Sequence, residues 1–103
     1  MKKGIIKAWH GHVYQSQWNY VVYGEAKVAL CDYRPTSKTY REIVTFNIDQ
    51  KIEPIAYFFP SGVLHGYQCQ KGPMHIIYVT SELYDPEEEI RISTDDPNIG
   101  YKW

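Results

Sequence analysis

The sequence predicts an all-β protein, folded as a β-sandwich or a closed β-barrel. Seven short runs have the β-branched and aromatic character of strands, and turn residues separate them at fairly even spacing. No segment has the 3.6-residue apolar repeat of an amphipathic helix. Ten tyrosines in 103 residues fit strands, although tyrosines can also line a ligand pocket.

Strand character is confined to short runs that begin and end near glycine, proline or polar residues. The predicted strands are Gly4 to His12, Gln17 to Tyr23, Glu25 to Asp32, Thr39 to Ile48, Ile55 to Phe59, Leu64 to Cys69 and Met74 to Ser81. Turns are predicted at residues 34–37, 49–54, 60–62 and 71–73. The acidic segments 87–89 and 95–98 are predicted to be solvated surface turns.

Length and charge limit the class of protein. A chain of 103 residues predicts a single domain, residues 1–103. The net charge of −1, with acids and bases intermixed, predicts neither nucleic-acid nor membrane binding. No run is long enough to span a bilayer, and Lys7 interrupts the first apolar run. With two cysteines in apolar surroundings, we expect a cytoplasmic protein whose thiols are reduced.

The candidate functional residues begin with a histidine pair. His10 and His12 are two residues apart on a predicted strand, so both side chains point to the same face. Gln17 follows after a turn, and His65 lies in a second segment, FFPSGVLHGY. Each histidine alone could be a hydrogen-bonded strand residue. Their shared spacing instead predicts that all four side chains meet in one pocket of a closed sheet.

The same alternation predicts an apolar outer surface. If Gln17 faces the interior, Asn19 and Val21 face it too, which leaves a second set of side chains outside: Trp18, Tyr20 and Val22. Such a surface is expected to be covered either by another strand or by a second subunit, and we favour the second subunit. We therefore predict a homodimer.

The spacing of His10, His12 and Gln17, together with Pro60, Gly62 and His65, resembles the paired motifs of the cupin superfamily. Gln17 stands where those motifs usually have glutamate, and Cys69 where the second usually ends in asparagine. The resemblance implies a cupin-type double-stranded β-helix, which is a jelly-roll barrel.

A narrower resemblance extends from about Lys7 to Trp103. The segments KAWH, VVYGEAKVALCDYRPTSKTYRE, FFPSGVLHGY, IIYVTSELYDPEEE and DDPNIGYKW are similar, in this order, to dTDP-4-dehydrorhamnose 3,5-epimerases. It implies an isomerase of nucleotide-linked keto-sugars that requires no cofactor. The family's N-terminal arm and C-terminal tail lie outside these segments.

The resemblance also implies roles for individual residues. His10 matches the catalytic base, and Tyr78 matches the catalytic acid. Gln17 replaces an active-site lysine, and the aspartate that orients the base is expected in the tail. His65 and Tyr84 match other positions that line the family's pocket. Lys7 stands where a phosphate-contacting arginine is usual, and His12 stands where the family usually has a non-ligand residue such as glutamine. The predicted substrate-binding residues are Lys7, His12, Gln17, His65 and Tyr84.

Three alternatives remain open at this stage. The HxH pattern also fits sugar-nucleotide 3,4-ketoisomerases. A metal-dependent cupin, such as a dioxygenase, would hold zinc, iron, nickel or manganese through four ligands: His10, His12, Gln17 and His65. A metal would use His10 as a ligand and so exclude it as a base. Without the lysine, an enolate would depend on Gln17, a protonated His12 or that metal. The third alternative is a non-catalytic sugar-binding module.

Overall fold

The computed structural model describes residues 1–103 as one antiparallel six-stranded sheet with no α-helix, which confirms the all-β prediction. The strands are β1 (Ile6–His12), β2 (Gln17–Asp32), β3 (Ile43–Asp49), β4 (Ala56–Phe59), β5 (Val63–Thr80) and β6 (Glu89–Arg91). The strand order is β3-β2-β5-β1-β6, and β4 pairs with β2. A 3-10 turn, Pro86–Glu88, precedes β6. No helix is long and apolar enough to cross a membrane.

Strands β2 and β5 are longer than predicted, because the predicted strand break at Gly24 and the predicted turn at residues 71–73 are both irregularities within continuous strands. At Gly24, φ is +92° and the pairing register with β5 shifts on both sides. A Cβ there would lie 2.7 Å from the carbonyl oxygen of Pro73, so the two irregularities are in close contact. The sequence at Lys71 to Pro73 predicts a turn, but pairing with β2 carries β5 through it. The two strands therefore pair from Gln17↔Thr80 to Asp32↔Val63.

Strand β3 begins at Ile43, not at Thr39 as predicted. The preceding residues fold around the carboxylate of Asp32, which accepts hydrogen bonds from Ser37, Thr39 and Arg34. Strand β6 and the 3-10 turn were not predicted. Each is only three residues long, which is too short for a recognisable sequence pattern. Strand β6 is stabilised by pairing with β1, from His10↔Arg91 to His12↔Glu89.

Two apolar clusters fill the interior. The larger one lies between β2, β4 and β5 and includes Val21, Phe59 and Met74. The smaller one surrounds Trp9, whose ring packs at 5.4 Å from that of Trp103. Cys31 and Cys69 are both buried and unpaired, as the sequence indicates.

The alternation predicted for β2 is confirmed. Gln17, Asn19 and Val21 are buried, whereas Trp18 is 53% exposed, and Tyr20 and Val22 are also on the surface. Neighbouring strands add further apolar side chains at the paired positions, Phe58 and Val79 beside Trp18 and Ile77 beside Tyr20. We call these six residues the outer patch: Trp18, Tyr20, Val22, Phe58, Ile77 and Val79.

Candidate active site

A pocket of about 520 Å³ opens at the end of the sheet where β1, β5 and the segment from 82 to 91 meet. Every residue that the sequence suggested for a site lines it: Lys7, His10, His12, Gln17, His65, Tyr78 and Tyr84. Seven others that were not predicted line it too: Gln15, Tyr67, Thr80, Asp85, Glu88, Glu89 and Arg91.

Strand β1 brings three of these side chains to one pocket. Lys7 and His10 are three residues apart and would face opposite sides of a regular strand. A register irregularity between them allows both to line the pocket. Gly11, between the histidines, lies against Leu64, and a Cβ there would be 2.6 Å from the Leu64 Cδ2 atom. Glycine therefore lets β1 lie close against β5.

His65 forms the floor of the pocket. It is 7% exposed, and its ring stacks on Phe59 with centroids 4.3 Å apart. Burial, and then the neighbouring His10 and His12, lower the pKa of His65 to about 3, so the ring is neutral at physiological pH. Its ring centroid lies 6.0 Å from that of His10 and 6.2 Å from that of His12. The predicted convergence of the three histidines on one pocket is thus present in the fold.

Three buried polar atoms on this floor have no hydrogen-bond partner in the protein: both ring nitrogens of His65 and Oε1 of Gln17. Buried polar atoms are rarely left unpaired in folded proteins. Both residues line the pocket, so these atoms lie at its base.

The metal alternative does not fit the arrangement of these side chains. No group of three or more histidine, cysteine, aspartate or glutamate side chains is placed to hold one ion. The four residues His10, His12, Gln17 and His65 therefore form a cluster of polar side chains in the pocket, and their arrangement gives the metal alternative no support.

The prediction that residues 87–89 form a solvated turn is wrong for Glu89, which begins β6 and lines the pocket, and for Glu88, which is only 4% exposed. Its carboxylate accepts hydrogen bonds from Nδ1 of His12 and from the backbone N–H groups of Gln15 (3.0 Å) and Tyr14 (3.3 Å). The Asp85 side chain caps the 3-10 turn by accepting from the N–H of Glu87. That turn directs Glu88 inward and leaves Glu87 exposed.

Opposing effects act on the charge of Glu88. Burial raises the pKa of this carboxyl group, but the hydrogen bonds from His12 and from the two backbone amides outweigh burial and place the pKa below its usual value. Glu88 is therefore ionised at neutral pH and accepts each of these hydrogen bonds.

His10 occupies a more open position. Its Nδ1 atom lies 3.6 Å from Oε1 of Glu89, and Glu89 also accepts a hydrogen bond from Arg91 at 3.2 Å. Burial lowers the pKa of His10 more than the neighbouring Glu89 carboxylate raises it. The imidazole is thus largely neutral at pH 7 and can accept a proton.

A pair of phenols faces the histidines. The hydroxyl groups of Tyr67 and Tyr78 are hydrogen-bonded to each other. Burial raises the pKa of Tyr78, and the hydrogen bond from Tyr67 only partly offsets this effect. Burial likewise raises the pKa of Tyr67. Both phenols are therefore protonated at neutral pH and can donate. Tyr67 could have been found from the sequence, since it follows His65 by two residues on one strand.

The mouth of the pocket carries charged and aromatic side chains. Lys7 and Arg91 are exposed cations on its wall, and Tyr84 is an exposed aromatic residue there. These side chains can contact an anionic or flat group that extends out of the pocket.

Comparison with known proteins gives consistent results. The sequence model of the family described as dTDP-4-dehydrorhamnose 3,5-epimerase matches residues 1–103. The spore coat polysaccharide biosynthesis protein SpsL of Bacillus subtilis is 38% identical, in an alignment that covers 97% of this chain and 68% of SpsL. A dTDP-4-dehydrorhamnose 3,5-epimerase of Methanothermobacter thermautotrophicus is 29% identical, over 98% of this chain and 55% of the relative.

Solved structures have the same fold. A dTDP sugar isomerase from Desulfovibrio desulfuricans aligns with a TM-score of 0.92 at 23% identity, over all of this chain and 66% of that one. The Mycobacterium tuberculosis rmlC epimerase aligns with a TM-score of 0.91 at 21% identity, over 99% of this chain and 52% of that one. The jelly-roll prediction is therefore confirmed, and the chain spans about half to two thirds of the length of these relatives. The match of the family's sequence model along the whole chain shows that this protein belongs to the dTDP-4-dehydrorhamnose 3,5-epimerase family.

Proposed function

We propose that the protein epimerises a nucleotide-linked 4-keto-6-deoxyhexose at a carbon beside the ketone. The observation that carries this proposal is the composition of the pocket: a neutral imidazole, protonated phenols and unpartnered polar atoms surround one space. Family membership supports the same reaction. Among the structural neighbours, an epimerase from Legionella pneumophila was crystallised with dTDP-4-keto-L-rhamnose.

The reaction begins with removal of an acidic hydrogen next to the carbonyl group. His10 is the proposed base, because its imidazole is neutral and accessible from the pocket. The bonding electrons move to the carbonyl oxygen and form an enolate. Tyr78 then donates a proton to the carbon, and the configuration is inverted when this proton arrives on the opposite face. Because the carbonyl group already makes these hydrogens acidic and the reaction is redox-neutral overall, the proposed mechanism uses no redox cofactor.

Binding is assigned to the remaining pocket residues. Gln17 and His65 offer the unpartnered polar atoms that can bond the sugar's oxygen atoms. Lys7 and Arg91 are suited to the negative charge of a diphosphate. Tyr84 can lie against a flat group such as a nucleobase. Gln17 and His65, which are both neutral, would donate hydrogen bonds to the enolate oxygen. They would take the place of the lysine that the sequence resemblance implies.

The reaction is tested by solvent exchange. The protein is incubated with dTDP-4-keto-6-deoxyglucose in D₂O, and deuterium at carbons 3 and 5 is followed by NMR. We expect exchange by the wild type, loss of exchange at one or both carbons in His10→Asn, and exchange without inversion in Tyr78→Phe. His75→Asn, which changes an exposed histidine outside the pocket, is the matched control.

The alternatives predict different outcomes in the same experiment. A 3,4-ketoisomerase would move the carbonyl group and leave carbon 5 unlabelled. A sugar-binding module would bind the nucleotide in calorimetry without any exchange. Absence of deuterium from both carbons at stoichiometric enzyme would reject the epimerase proposal.

We further propose that residues 1–103 act as a single domain in a cytoplasmic homodimer. The exposed outer patch supports self-association because apolar side chains cover three adjacent strands there. The unpaired Cys31 and Cys69 support a reducing compartment. Trp18→Glu is expected to give a monomer in analytical ultracentrifugation, whereas Val44→Glu, at an exposed apolar residue outside the patch, should remain a dimer.

A further inference from the structure

The pocket contains a second histidine–carboxylate pair that the mechanism above does not use. Glu88 is buried and accepts a hydrogen bond from the Nδ1 atom of His12. It is held in place by the backbone amides of Tyr14 and Gln15. By contrast, Glu89 lies 3.6 Å from His10 and is shared with Arg91. The better-ordered pair is therefore the one around His12.

The chemistry of this pair determines which ring nitrogen of His12 can react. An ionised carboxylate only accepts hydrogen bonds, so Nδ1 of His12 must carry the proton that it donates to Glu88. In the neutral ring the lone pair then belongs to Nε2. Since His12 lines the pocket and its side chain retains 14% exposure, Nε2 is the nitrogen available to a bound ligand. A fixed tautomer of this kind is a feature of proton-transferring histidines.

We propose that Glu88 is a positioning residue for His12 and that His12 is a second proton-transfer residue beside His10. This inference rests on the proposed epimerase function. A 4-keto sugar has two acidic carbons, one on each side of the carbonyl group. His10 and His12 lie two residues apart on one face of β1, about 7 Å along the strand. The two imidazoles therefore reach different atoms of a sugar ring that lies over this face.

The step balances without another reactant. A carbon–hydrogen bond breaks, its proton moves to Nε2 of His12, and the electron pair forms the enolate. A proton from the Tyr78 hydroxyl forms the new carbon–hydrogen bond. Solvent then takes the proton from His12 and returns one to the phenolate, which restores both residues.

Glu88→Gln separates this role from a structural one. The glutamine oxygen can still accept from the amide of Gln15, so the loop retains an anchor. Its NH₂ group would face Nδ1 of His12 and donate to it, which moves the ring proton to Nε2 and removes the base. We expect kcat to fall by about 100-fold, within the range for loss of general acid–base catalysis, with KM within about threefold. Glu87→Gln, at the exposed neighbour, is the matched control and should retain wild-type kcat.

Two measurements decide the inference. Nitrogen-15 NMR of the imidazoles should show Nδ1 of His12 protonated in the wild type and Nε2 protonated in Glu88→Gln. Deuterium exchange in His12→Asn should fail at one of carbons 3 and 5, while His10→Asn fails at the other. Circular dichroism checks that each variant is folded.

The outcomes separate this inference from the proposed function. If the wild type exchanges both carbons and His12→Asn does so at the same rates, the role of His12 is refuted and the epimerase function stands. An unchanged tautomer in Glu88→Gln refutes the positioning role. If the wild type exchanges neither carbon with the 4-keto sugar, both proposals fail together, and the NMR measurement still tests the orientation of His12.

Discussion

Replacing His65 by glutamine should change how the protein's stability depends on pH. The pKa of His65 is lowered from 6.5 to about 3, mainly because the ring is buried. The unfolded chain therefore binds a proton more readily than the folded chain does, and stability falls as the pH decreases below about 6.5. His65 lowers the stability by about 1.4 kcal/mol for each pH unit in this range, since one pKa unit corresponds to that energy. Between pH 6.5 and pH 5 the loss is about 2 kcal/mol.

Urea unfolding at pH 7 and pH 5 measures this effect. The wild type should lose about 2 kcal/mol more than His65→Gln, because glutamine does not titrate. His75→Gln removes an exposed histidine and should show the wild-type difference. If wild type and His65→Gln lose the same stability within about 0.5 kcal/mol, His65 is not desolvated in the folded protein and the reasoning fails.

Two other predictions follow from close contacts. Tyr67→Phe removes the hydrogen bond that lowers the pKa of Tyr78, so the alkaline limb of the pH–rate profile should move to higher pH. An unchanged alkaline limb would contradict the role of Tyr78 as the catalytic acid. Gly66→Ala places a Cβ in steric conflict with the Cβ of Ala8 and should reduce the free energy of unfolding by about 1–3 kcal/mol. Ala8→Gly in the same chain should restore part of this loss in urea unfolding, and absence of any restoration would show that the contact is not responsible.

The fold class could be predicted because it depends on local patterns. Alternation along β2 predicts that Gln17 and Trp18 face opposite sides of the sheet, and the structure has Gln17 buried and Trp18 exposed. Strand ends were predicted less well. Gly24 has the residue type of a turn, but pairing with both neighbours carries β2 through it as a bulge.

The site could be predicted only in part, because only some of its residues have a local sequence pattern. His10, His12 and His65 were found from their spacing and a family resemblance, and all three line the pocket. Glu88 was missed, because a run of three glutamates is usually solvated. Only the packing of the 3-10 turn against β1 distinguishes this glutamate from its two neighbours.

By itself, the sequence determined the period-two alternation and the spacing of the histidines, because both depend on residues close together in the chain. It also determined the family, because the family is recognised from the order of segments along the chain. The tertiary structure decided which carboxylate meets which imidazole. Glu88 and His12 are 76 residues apart, and their hydrogen bond exists only because β6 pairs with β1 and directs the preceding turn toward it. Contacts of this kind depend on the exact path of the backbone, which local patterns do not specify.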